Sequence, residues 1–215
     1  PFGLGDFPDL QKQLVENINL SEFGNMFIVG TTRSGKSTAL RTIAYSASQL
    51  YSAENLHIDC IDAGNGALTP LVALPNVGVV ALRSETQKIE RLLLTIDRVI
   101  KHRAQLLSSG GYSSIDEYND DPTHAGDTIP HVLVLLDSWE GYSSALLSYD
   151  NGTLLDKIQL LMREGTSSGV HFVVSGDRQL LSGRMSMLAD SKTLLRLIEK
   201  MDYSVAGMHS KDVPD

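Results

Sequence analysis

Gly30-Thr31-Thr32-Arg33-Ser34-Gly35-Lys36-Ser37, reached directly from the apolar run Met26-Phe27-Ile28-Val29, decides how this 215-residue chain folds. It matches G-x-x-x-x-G-K-[ST] at every fixed position, with Thr38-Ala-Leu-Arg-Thr-Ile-Ala-Tyr reading as a helix immediately after it. Gly30 and Gly35 let the backbone curl so that successive N–H groups converge on phosphate oxygens. The following helix aims its positive end at the same anion. In this pattern Lys36 reaches the β- and γ-phosphates and the Ser37 hydroxyl takes a place on Mg²⁺. Gly30, Thr31, Thr32, Arg33, Ser34, Gly35, Lys36, Ser37 and Thr38 are therefore expected to cradle ATP with its Mg²⁺.

Working outward, Val132-Leu-Val-Leu-Leu-Asp137 is the one strand-like run that ends on a carboxylate in the manner of the second acidic motif of P-loop NTPases. Asp137 is expected to join Ser37 on the metal, from a strand beside the P-loop strand. An aspartate that merely ends a strand is the plainer alternative. A base is often carried by the next residue, but here Ser138, Trp139 and then Glu140 follow. A serine hydroxyl has no basicity at neutral pH, so position 138 supplies no general base. Whether Glu140 can serve depends on the turn. Binding chemistry is complete in this sequence and hydrolysis chemistry is not, so hydrolysis is expected to be slow.

Ser175-Gly-Asp-Arg178 closes a later strand, where a γ-phosphate sensor can stand; a surface arginine in a turn fits the same residues. Arg178, Arg184 and Arg196 are all candidates to act in trans on a neighbouring subunit.

Composition narrows the class. A chain of this length suits one large α/β domain, and 42% hydrophobic with 20% charged residues is ordinary for a globular protein. There is no run of eighteen apolar residues and no signal-peptide pattern. Cys60 is the only cysteine, set in Leu56-His-Ile-Asp-Cys-Ile, and reads as a buried free thiol. The six histidines show no zinc spacing. A net charge of −8 argues against a broad nucleic-acid footprint. The chain starts at Pro1 and stops at Val213-Pro214-Asp215, which reads as a fragment of a longer polypeptide.

In chain order, residues 1–25 read as an N-terminal edge strand or hairpin, and 26–215 as the nucleotide-binding core of a single domain. A helix is expected from Lys36 to about Leu50. Strands are expected at Leu56–Ile61 and Val77–Leu82. The segment from Glu85 to Leu107 reads as a long amphipathic helix with Glu90, Arg91, Asp97, Arg98, Lys101 and Arg103 on a solvated face. Ser113 to Pro130, with Asp116, Glu117, Asp120, Asp121 and Asp127, reads as an acidic surface loop rather than a calcium loop. His131–Asp137 and Gly169–Ser175 are strands, a loop precedes a helix over Leu154–Met162, and Thr193–Ile198 is the last strand. The alternation implies an α/β fold of the P-loop NTPase (RecA/AAA-like) kind, with a mostly parallel sheet and helices on both faces.

Gly30 to Thr38, the strand ending at Asp137, and Gly169-Val-His-Phe-Val-Val-Ser-Gly-Asp-Arg178 together resemble the FtsK/SpoIIIE motor domain. Phe2-Gly-Leu-Gly-Asp-Phe-Pro-Asp-Leu-Gln-Lys-Gln, Asp62-Ala-Gly-Asn-Gly-Ala-Leu-Thr-Pro-Leu, Leu74-Pro-Asn-Val-Gly and Asp202-Tyr-Ser-Val-Ala-Gly are similar, more narrowly, to type VII secretion ATPases of the EccC/EssC group. That family has Thr-Gln before the arginine, where this sequence has Gly176-Asp177. The resemblance implies one of the later of several tandem motor domains, where the glutamate after the aspartate is commonly absent. It implies as partners the neighbouring motor domains of the same chain, small helical secreted proteins, and a membrane secretion complex. The implied location is the cytoplasmic face of the cell membrane. A nucleotide-locked scaffold and an FtsK-like DNA translocase are the alternative readings.

Overall fold

The computed structural model describes residues 3–7, 11–16, 18–22, 24–208 and 213. Phe2, Pro8, Asp9 and Leu10 of the N-terminal stretch, and the last two of Val213-Pro214-Asp215, lie outside them.

Strands β1 (Gly3–Phe7) and β2 (Lys12–Glu16) pair antiparallel as a separate two-stranded sheet. The main sheet takes β3 (Met26–Val29), β4 (Leu56–Asp62), β5 (Val77–Leu82), β6 (His131–Asp137), β7 (Val170–Gly176) and β8 (Ser191–Leu194) in the order β5-β4-β6-β7-β3-β8. All its pairings are parallel. The helices are α1 (Lys36–Leu50), α2 (Thr86–Gly110), α3 (Ile115–Asp120), α4 (Trp139–Asp150), α5 (Thr153–Gly165) and α6 (Lys200–Val205).

Alternation along the strands divides the interior in two, as period-2 side-chain geometry requires. Phe27, Val29, Ile61, Val134, Leu136, Phe172 and Val174 pack with α2, α4 and α5. Met26, Ile28, Ile58, Cys60, Leu133, Leu135 and Val173 pack with Leu40, Ile43 and Ala44 of α1. The central strands are covered on both faces, which is why they read as unbroken apolar runs.

Several expectations need correction. β6 is not beside the P-loop strand: β7 lies between β3 and β6. The stretch before α5 is helix α4 rather than loop. Trp139, Tyr142 and Leu146 bury its inner face at helical spacing, a pattern obscured in sequence by Gly141 and three serines of low helix propensity. The acidic segment after α2 contains α3. Ser114 Oγ accepts from Glu117 N–H at 3.2 Å, and the Glu117 carboxylate accepts from Ser113 N–H at 2.6 Å. Ser114-x-x-Glu117 is the capping-box signature, and it was legible. The last strand ends at Leu194.

On α2, Asp97 and Arg103 are buried rather than solvated. Asp97 pairs with Lys157 at 2.7 Å and Lys101 at 2.9 Å. Burial opposes its ionisation, but the hydrogen bonds from Lys101 and Lys157 outweigh that and hold its carboxyl below the ordinary value. Arg103 donates to Ser168 O and Pro130 O, both at 2.8 Å, and desolvation lowers its pKa to about 10.

Candidate functional site

The β3–α1 connection, the turn after β4 and the end of β6 converge at the carboxyl edge of the sheet, where open α/β sheets place their ligands. They enclose a pocket of about 440 Å³ walled by Thr31 to Thr38, Gly64, Asn65, Ser138 and Glu140. Gly35, at φ 102°, turns the chain into α1 in a conformation that side chains rarely adopt. Gly30 N–H is held by Gly176 O at 3.1 Å and Thr31 N–H by Arg196 O at 2.9 Å. The Arg196 segment is itself braced by the Tyr203 hydroxyl, which donates to Leu195 O at 3.3 Å and accepts from Leu197 N–H at 2.8 Å.

Lys36 is buried, and its ammonium donates to Gly30 O at 2.8 Å and Thr31 O at 2.9 Å. Ser37 Oγ donates to Asp137 Oδ2 at 2.7 Å, while Ser175 Oγ, from the intervening β7, donates to Asp137 Oδ1 at 2.5 Å. Ser138, next in chain, sits at φ 65° and donates its N–H to Ser175 Oγ at 3.0 Å. Asp137 is thus fully buried and fixed at both oxygens.

Among the described residues, the buried side-chain oxygens and nitrogens without a hydrogen-bond partner are Thr31 Oγ1, Ser34 Oγ, Ser48 Oγ, Asn76 Oδ1 and Glu140 Oε2. The residues of three of these wall this one pocket. Buried polar atoms are normally paired, so such a cluster marks a place built for a polar ligand. The donor set fits a nucleotide triphosphate with Mg²⁺: a curled backbone, one ammonium, a hydroxyl and a carboxylate sharing a hydrogen bond, and a further carboxylate in the wall.

Of the residues anticipated from sequence, Gly30 to Thr38, Asp137 and Glu140 are brought together. Arg178 is exposed on the turn after β7 and does not wall the pocket. Arg184 lines a separate cleft of about 780 Å³ with Arg163, Asp156 and Asp190. Arg196 meets the P-loop through its carbonyl, which accepts from Thr31 N–H. Sequence reading assigned no role to Ser175, Asp62 or Asn65. Asp62 is buried and accepts from Gly64 N–H, Gly66 N–H and Leu68 N–H at 3.1, 3.2 and 2.7 Å, organising the turn that carries Asn65.

Fold and pocket together define an α/β domain of the P-loop nucleotide-binding class. The chain belongs to the FtsK/SpoIIIE family, whose pattern matches residues 6–202. It is 29% identical over its whole length to the ESX-4 secretion system protein EccC4 of Mycobacterium tuberculosis, of which it spans 17%. Among solved structures it is similar to EssC (ATPases 2 and 3) from Geobacillus thermodenitrificans, with a TM-score of 0.86 and 26% identity over 100% of this chain and 40% of that one. It is also similar to Thermomonospora curvata EccC (ATPases 2 and 3) in complex with a signal sequence peptide, with a TM-score of 0.84 and 29% identity over 99% of this chain and 38% of that one.

Proposed function

We propose that this chain is an ATP–Mg²⁺-binding motor-type domain of a type VII protein secretion ATPase, coupling nucleotide state to recognition and export of substrate proteins. The observation that carries the proposal is the Ser37–Asp137 hydrogen bond at the mouth of a P-loop whose Lys36 ammonium donates to carbonyls of its own loop. In this reading the loop N–H groups and Lys36 bind the phosphates, Ser37 and Asp137 hold the metal, and Glu140 takes the proton of the attacking water. Mg²⁺ held there would supply charge neutralisation to the phosphates. Ser138 in place of a carboxylate keeps hydrolysis slow.

The relatives' tandem architecture supports neighbouring motor domains of one chain as partners, at the cytoplasmic face of a membrane complex. Among the described residues no helix is long and apolar enough to cross a membrane. The peptide-bound EccC structure supports small helical secreted proteins as substrates, read by an apolar groove through helix-in-groove contacts. Calorimetric titration with the C-terminal peptide of the substrate encoded beside the parent gene tests this. Micromolar binding, about −8 kcal/mol, with a negative heat-capacity change is expected. No binding with or without ATP, while another motor domain of the parent binds the peptide, would assign recognition elsewhere.

Ser138 also favours a second reading, a nucleotide-locked scaffold. Turnover indistinguishable from the Lys36→Ala background would select it. Salt-sensitive DNA binding would instead favour a translocase, against the net charge of −8.

A further inference from the structure

We infer that Asn65 contacts the terminal phosphate and gives the pocket its preference for a nucleoside triphosphate over a diphosphate; this rests on the nucleotide reading of the pocket. β4 and β6 end level, with Asp62 opposite Asp137 in register. The Asp62 carboxylate is consumed by three backbone N–H groups and so fixes the following turn instead of facing the ligand. That turn is pressed onto the metal end of the pocket. A Cβ on Gly64 would stand 3.0 Å from Ser138 Oγ and 3.3 Å from Asp137 Oδ2.

Asn65 is at the tip of this turn, exposed, and walls the pocket together with Ser37, Ser138 and Glu140. Among the described residues its carboxamide takes no hydrogen bond. Its place next to Gly64, in the wall shared with Ser37 and Ser138, puts it at the γ end of a phosphate chain laid along Lys36 and Ser37. A carboxamide has two N–H donors for phosphate oxygens and an acceptor for a water proton, but no basicity. It therefore orients and discriminates, and leaves proton transfer to Glu140.

The test is calorimetric binding of Mg²⁺ with a non-hydrolysable ATP analogue, and separately of ADP, to this chain and its variants. Asn65→Ala should weaken the triphosphate analogue about tenfold or more, the effect of losing a hydrogen bond to a charged group, and leave ADP within about twofold. Asn65→Asp, of the same shape but facing the phosphate with negative charge, should weaken the analogue further. Thermal unfolding of both variants without nucleotide should match the parent, because the side chain lies on an exposed turn. Loss of both nucleotides alike, or of neither, in Asn65→Ala overturns the inference. Lys36→Ala separates the two levels: if it too keeps both nucleotides, the nucleotide reading itself fails, and if it loses both while Asn65→Ala keeps the parent's preference, only the role of Asn65 fails.

Discussion

Ser37 at the start of α1 and Asp137 at the end of β6, one hundred positions apart, share a 2.7 Å hydrogen bond, although β7 separates β6 from the P-loop strand β3. Ser175 on β7 holds the other oxygen of the same carboxylate. The acid is thereby held against the P-loop at both oxygens, as the metal-binding role proposed for it requires.

Lys36→Ala should abolish stabilisation by ATP. Ligand binding to the folded state alone adds about 2.7 kcal/mol at a hundredfold excess over Kd, a shift of several degrees in Tm. A thermal scan with and without Mg²⁺–ATP reads this directly. An unchanged shift in the variant would remove the assignment of the pocket.

Asp137→Ala should cost about 1–3 kcal/mol of stability without nucleotide, because the buried Ser175 hydroxyl loses its acceptor. Asp137→Asn keeps the shape and should be milder in denaturant. Both should lose the difference in ATP affinity measured with Mg²⁺ and with EDTA. Undiminished metal dependence in both variants would place the cation elsewhere.

Turnover of the parent chain should be slow. Loss of the full 10²–10⁴-fold that a general base supplies corresponds to about 3–5 kcal/mol, and with Ser138 next to Asp137 the displaced Glu140 recovers only part of it. Glu140→Gln should lower the residual rate further, and Ser138→Glu, in the pocket wall, should raise it. Several turnovers per second from the parent, unaffected by Glu140→Gln, would contradict this scheme.

Cys60 should resist alkylation in the folded protein. Desolvation first, then the charges of Asp59 and Asp62, push its thiol up to about 12. A raised pKa contributes stability that is complete below the ordinary thiol value and is lost as pH rises toward 12. Near pH 8 iodoacetamide should therefore label the chain only after unfolding. Stability measured by denaturant should fall between about pH 9 and 12, less so in Cys60→Ala. Rapid labelling of the native chain at pH 8 would show that the thiol is not enclosed.

How much was legible depended on whether the signal was local. Gly30 to Ser37 carries its own backbone chemistry, so loop, helix and lysine were readable in eight letters. The strand of Asp137 was readable from Val132 to Leu136, because strands buried on both faces are apolar throughout. Its place in the sheet was not, since strand order is fixed by packing between distant segments. The place of Ser175 was hidden for the same reason: it gains its meaning from Asp137 on another strand. α4 was missed because serines and Gly141 weaken the local preference that Trp139, Tyr142 and Leu146 override in the fold. Asp97 and Arg103 looked solvated because charge alone does not show that a lysine from α5, or two carbonyls, will meet it.

The brace formed by Tyr203 sets a practical limit on how far this chain can be trimmed. Residues 195–203 contribute no side chain to the pocket. A version ending after β8 would nevertheless keep the entire phosphate-binding sequence while untying the Thr31 N–H that Arg196 O holds. The shortest useful piece is therefore defined by α6, and a deletion chosen from the motif alone would leave the loop with the right letters but without this brace.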